Sequence, residues 1–315
     1  MRASKRNICK QDAHVIFLTI WPIFALICLG FVLARSGFPG ASFWPLAERL
    51  NYFLLFPALL VTSLVDAPLR DPAILRMGGA AVGTICLAAV AMALLRLARP
   101  TPAARFGPGL QGMIRFNTYL GLAIVASLAG PEGLGRAAVY LAVAVPLVNV
   151  LSILALTERG ASTSVMALLR IVFRNPLILA CIVGIALALS GLGLPFGSDK
   201  FLTLIAQASL PLGLLCVGAA LQPRALRQDG LPVLGNTMLR LLAMPALAAL
   251  AGCVLGLDGI EALVLVVFSA IPTAPTAYIL TRQLNGDGPF MAGLVTAQTL
   301  ASALTIPLVL LAFGA

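Results

Sequence analysis

Two short polar interruptions in otherwise apolar sequence hold the residues best suited to bind a solute: Asn117-Thr118-Tyr119-Leu120-Gly121 and Pro272-Thr273-Ala274-Pro275-Thr276. They offer amides, hydroxyls and free backbone groups, the chemistry of reversible binding. The means of breaking bonds are missing. The one histidine, His14, has no clustered partners and cannot build a zinc site or a Ser/His triad. Cys9, Cys28, Cys86, Cys181, Cys216 and Cys253 show no metal-ligand spacing and read as buried, inert thiols. Gly191-Leu192-Gly193 lacks the strand context of a dinucleotide fingerprint and reads as a turn. The residues thus predict no enzyme, no cofactor and no metal.

The elements around these interruptions follow from composition. With 60% hydrophobic and 10% charged residues over 315 positions, the chain predicts an all-α integral membrane protein. Its mean hydropathy of +1.03 agrees. A membrane-crossing helix takes about 20 apolar residues, and ten such stretches fall near 15–35, 44–64, 75–97, 109–130, 134–156, 168–190, 199–221, 232–255, 260–283 and 289–313. The joints 36–40, 100–108, 191–197 and 285–289 are rich in Gly and Pro and read as turns. The net charge of +10 does not indicate nucleic acid. Most Lys and Arg lie in the odd-numbered joints, which places those joints in the cytoplasm and the termini outside. The basic leader, with Arg2, Lys5, Arg6 and Lys10, runs against that orientation. Its following apolar run, Val15 to Ala34, is too long for a signal-peptide core and reads as the first helix.

The interruptions occupy the same ordinal place, spans four and nine, in two successive sets of five. Span two (Pro57) and span seven (Pro211) also match, in Leu55-Phe56-Pro57-Ala58-Leu59-Leu60 and Ser209-Leu210-Pro211-Leu212-Gly213-Leu214-Leu215. Five spans per repeat force the second copy to insert upside down. The chain therefore divides into a leader at 1–14, a first repeat at 15–157, a short central loop at 158–167 and a second, inverted repeat at 168–315. Unwound backbone inside a bilayer is tolerated only around a cavity or within protein, so matched breaks point to the substrate site of a secondary transporter. Half-helices starting beyond each break would aim their positive ends at an anion. Pro272 and Pro275, three apart, favour true unwinding over a kink; span four relies on Asn117 and Gly121.

Acidic residues sit at or near span ends, so no embedded carboxylate offers itself for ion coupling. At depth the polar residues are neutral: Asn117, Thr118, Tyr119, Asn149, Ser152, Thr273, Thr276, Tyr278 and Gln298. Arg115 and Arg282 read as headgroup anchors at the ends of spans four and nine, Arg115 with a lesser role in drawing anions inward. Gly79 and Gly83 form a small-xxx-small face that reads as packing within the chain, leaving a homodimer open.

The Pro57 and Pro211 segments, Arg115-Phe116-Asn117-Thr118-Tyr119-Leu120-Gly121, Arg174-Asn175-Pro176 and the Pro272 to Tyr278 segment together resemble the auxin efflux carrier family, the bacterial relatives of PIN-type carriers. The resemblance runs from about Trp21 onward. It implies ten transmembrane helices in two inverted five-helix repeats, a scaffold plus a transport domain, and discontinuous helices 4 and 9 crossing at the substrate site. By that resemblance Asn117 contacts the carboxylate of a small organic anion and the loop at Pro272 and Pro275 forms the opposite wall; Thr118, Tyr119, Gly121, Thr273 and Thr276 of the two breaks complete the candidate binding site. Pro57 and Pro211 would belong to the scaffold. An elevator-like alternating-access motion and a multi-pass place in the bacterial cytoplasmic (inner) membrane, with periplasmic termini, are also implied. The chain lacks the long central loop of the plant carriers and a proline in span four. A sodium-coupled symporter of the bile-acid/sodium type and a non-enzymatic anion channel remain open beside it.

Overall fold

The computed structural model describes residues 13–157, 166, 173–194 and 197–313, and among these every regular element is helical. The leader before residue 13 and most of the central loop lie outside the described residues. In order, the helices are α1 (Ala13–Arg35), α2 (Phe43–Leu50) and α3 (Phe56–Val65), α4 (Pro72–Ala98), α5 (Ala103–Ile114) and α6 (Thr118–Leu156). There follow α7 (Pro176–Ser190), α8 (Ser198–Gln207) and α9 (Ser209–Ala219), α10 (Gly230–Met238) and α11 (Met244–Val254), α12 (Gly259–Ala270), α13 (Thr276–Gln283) and α14 (Gly288–Phe313). Their starts follow local rules. Asp71 accepts from Ala73 N at 2.9 Å and Asn175 from Leu177 N at 2.9 Å, each with proline next, the favoured cap-then-proline entry.

Seven described helical stretches are long and apolar enough to cross a membrane. One of them, Ala103–Leu156, covers 54 residues and both the expected fourth and fifth spans. It doubles back at Gly130 (φ 58°, ψ −150°), a conformation open to glycine. A Cβ built on Gly107 would strike Leu156, so the end of α6 lies beside the start of α5. The expected sixth and ninth spans fall on shorter apolar helices, Pro176–Ser190 and Gly259–Ala270.

The turn expected at 100–108 is mostly helix: α5 starts at Ala103 and carries Pro108 inside. A proline cannot donate to the carbonyl four residues back. That carbonyl, Ala104 O, instead accepts from Asp287 N at 2.8 Å, so the helix survives through a partner remote in sequence. Prolines also account for two π turns, Asn51–Leu55 and Leu239–Ala243, which end just before Phe56-Pro57 and Met244-Pro245. There Phe56 N bonds to Asn51 O and Met244 N to Leu239 O, widening the helix ahead of the missing donor.

Packing sorts the helices into two sets. In the first, α1 lies on α9 with no room for side chains: a Cβ on Gly30 would strike Leu215 O, and one on Gly218 would strike Ile27 O. Gly184 of α7 also meets α3 closely, its built Cβ 2.7 Å from Leu64 Cβ. Asn51 and Ser209, both fully buried, exchange hydrogen bonds at 3.0 and 2.8 Å. The second set comprises α4 to α6 and α10 to α14. At one end Arg105 bonds to both Asp229 and Asp287 at 2.6 Å and stacks over Phe290. The hydrogen-bonded guanidinium holds the Asp229 carboxyl below its ordinary value. At the opposite end Arg136 pairs with Glu132 and the buried Glu261, and Arg76 donates to Leu255 O and Gly256 O. The joints these clusters tie alternate along the chain, as successive crossings require.

The Gly79–Gly83 face does not pack inside the chain: no described atom comes within 4 Å of a Cβ built at either. Of the cysteines, Cys181 and Cys216 are buried, whereas Cys28 and Cys253 are exposed on the outside of the bundle. Gly218→Val is therefore expected to lower the thermal stability of the detergent-purified protein by at least about 2 kcal/mol through overpacking. Gly79→Ala with Gly83→Ala should stay within about 0.5 kcal/mol of the parent. A thermal melt of both variants checks the contrast.

Candidate binding site at the two helix breaks

The chain is unwound at the two interruptions, and the breaks lie against each other. Between α5 and α6 the extended residues are Arg115 (φ −77°, ψ 154°) and Asn117 (φ −79°, ψ 97°). Between α12 and α13, Ile271 adopts nearly the dihedrals of Arg115 (φ −78°, ψ 153°). Ile271 and Ala274 each precede a proline, which disfavours the helical conformation. No proline opens the first break. There Asn117 caps α6, its Oδ1 accepting from Leu120 N at 3.3 Å, and its own N–H donates to Pro272 O at 2.8 Å. Gly121 serves close approach and not unwinding: it is helical, and a Cβ there would come within 2.8 Å of Phe268 and Ile271.

An unwound segment leaves the last carbonyls of the helix before it without partners. Here the second set supplies donors. Arg240, 1% exposed on the π turn between α10 and α11, donates to Met113 O (3.0 Å), Phe268 O (2.9 Å) and Ile271 O (2.9 Å). One cation thus closes the negative ends of α5 and α12 together. Gln298 of α14 donates to Gly112 O at 3.0 Å and accepts from Thr273 N at 2.8 Å, while Asn236 donates to Gly109 O at 2.8 Å. Thr273 Oγ1 reaches Gln111 O at 3.3 Å, and Gln111 donates to Thr281 at 2.9 Å.

What faces away from this tie is the start of α6 and of α13. Asn117 is buried (1% exposed) and its Nδ2 has no partner. Gln111 Oε1, on the last turn of α5 before the break, is also unpartnered. Thr118, Tyr119, Pro275 and Thr276 are half-buried, whereas Pro272 and Thr273 are buried. Tyr119 packs edge-on against Phe56 of α3 and beside Gly213 of α9, at the boundary with the first set. Pro57 and Pro211 lie within that first set, in the first turns of α3 and α9. Thr118 lines an otherwise apolar crevice with Phe56, Leu60, Leu141, Val145 and Leu177. Ser152 turns back onto Val148 O, and Tyr278 is half-buried along α13.

Arg115 is not a headgroup anchor. It caps α5 at the break itself, half-buried, donating to Asn149 Oδ1 at 3.0 Å and Thr276 Oγ1 at 3.2 Å. Arg282 is exposed at the end of α13, where an anchor would be. Sequence reasoning missed Arg240 as part of the site. The signal was present: a lone arginine within an apolar span marks function or a buried partner. Arg240→Met leaves three buried carbonyls unpaired and is expected to cost at least about 3 kcal/mol. Thermal unfolding in detergent, read beside Arg282→Met as the exposed control, checks it.

Comparison with known proteins points to membrane transporters. The family described as membrane transport protein matches residues 162–310. An uncharacterized transporter of Methanothermobacter thermautotrophicus is 27% identical over 298 residues, 92% of this chain and 96% of that protein. The breaks and the apolar helices fit a multi-pass membrane protein, and over residues 162–310 the chain is similar to the membrane transport protein family.

Proposed function

We propose that the protein is a secondary carrier that moves a small organic anion, a carboxylate, bound where the two helix breaks meet. The observation that carries this reading is the bonded pair of breaks, Asn117 N to Pro272 O, with a buried amide donor left over at Asn117 Nδ2. Carbonyls that would suit a cation are engaged by Arg240, Gln298, Asn117 and Thr273. Donors and the positive starts of α6 and α13 remain, which favours a negative solute over sodium.

The distribution of polar contacts supports an alternating-access reading. The side-chain hydrogen bonds named above join spans within one set or within the other. Across the boundary lie Tyr119 on Phe56 and the apolar crevice at Thr118. Contacts of that kind can slide, because neither of them is a hydrogen bond that has to be broken in the membrane. The first set, with Pro57 and Pro211, serves as scaffold. The second carries the breaks as an elevator between the two membrane faces, and each set takes spans from both of two inverted five-helix repeats with ten spans in all. Bacterial inner-membrane placement with periplasmic termini belongs to the same reading.

Uptake of carboxylates into proteoliposomes, with proton and sodium gradients imposed separately, tests it. Saturable uptake with counterflow is expected, and Asn117→Ala should raise KM by about tenfold or more with normal folding, the size of a lost bond to a charged group. Linear, non-saturating flux would instead indicate a channel, and strict sodium dependence a symporter.

A further inference from the structure

We propose that Arg115 selects for negative charge in the solute: its guanidinium, now resting on two neutral acceptors, turns to pair with the carboxylate of the bound anion. This rests on the reading of the breaks as an anion carrier site. Arg115 is a cation inside the protein with no acidic partner among the described residues; its hydrogen bonds run to the Asn149 amide oxygen and the Thr276 hydroxyl. A guanidinium has five donors, and neutral acceptors hold it less strongly than a carboxylate would. Its setting is also unfavourable. Thr276 is the first residue of α13, so the cation lies at the positive end of a helix dipole, the reverse of the stabilising arrangement.

Arg240 shows what a settled arginine looks like on the same pair of breaks. It touches the negative ends of α5 and α12 and its three bonds go to carbonyls there. Arg115 has the opposite relation to α13 and fewer partners. Across the boundary it lies within electrostatic reach of the Tyr52 phenol of the first set, which brings no negative charge of its own. Positive charge from Arg115 and from the start of α13 therefore accumulates at one spot, at the pair of breaks that also holds the unpaired Asn117 amide. A carboxylate placed there relieves both, displacing the Thr276 hydroxyl from the guanidinium while the Asn149 bond keeps the fork in position.

Binding of propionate, malonate and phenylacetate, and of their amides, by purified parent, Arg115→Gln and Arg115→Lys tests the proposal. The parent should prefer each acid over its amide. Arg115→Gln should lose that preference by about 10- to 100-fold in affinity for the acids, with little change for the amides. Arg115→Lys, which keeps the charge and loses the fork, should retain the preference at about tenfold weaker affinity. A parent that binds none of the acids overturns the carrier-site reading and this inference with it. A parent that binds them while Arg115→Gln keeps the full preference overturns the role of Arg115 alone. Should Arg115→Gln not fold, loss of the acid-over-amide preference in Arg115→Lys, which keeps the charge, would overturn it equally.

Discussion

Unwound backbone in the interior of a membrane protein needs polar partners from the protein, and in this chain one arginine answers most of that need. Arg240 holds the ends of α5 and α12 at once, through carbonyls at Met113, Phe268 and Ile271. Without a donor there, each break would strand carbonyls at a cost of about 1–3 kcal/mol apiece, and the helices would gain by rewinding. The π turn that ends before Pro245 places Arg240 between both helices. A feature forced by a proline thus supports two gaps elsewhere.

The same constraint organises the rest. Polar side chains that satisfy the breaks, Gln298, Asn236, Thr273 and Gln111, all belong to the second set and bind it into one body. Its ends are closed by the Arg105 and Arg136 clusters. The first set is held by backbone contact at Gly30 and Gly218, by Leu64 packed on Gly184 and by the Asn51–Ser209 pair. The named side-chain hydrogen bonds are thus concentrated where backbone is unwound, within the second set.

The breaks themselves were legible in the sequence, because prolines at 272 and 275 and an asparagine flanked by threonine are local signals. The helical character and most span limits were legible too, since apolar run length decides them. Partners distant in the chain were not. Ala104 O is rescued by Asp287 N, so a Gly/Pro-rich stretch that reads as a turn continues as helix. Arg115 appears to stand near a span end only if α5 is started late; with Ala103 as its first residue, Arg115 falls at the gap. The Gly79–Gly83 spacing permits close packing and cannot say whether a neighbour is there.

Relative movement of the two sets is the claim on which the transport cycle turns, and a reversible crosslink across the seam tests it most directly. A Cβ built on Gly135 of α6 lies 3.6 Å from Ala67 Cβ, just past α3, within the separation a disulfide spans. With the native cysteines replaced, Ala67→Cys with Gly135→Cys should transport when reduced, fall to background on oxidation and recover with reductant. Full transport by the oxidised, crosslinked protein would contradict the movement of one set against the other.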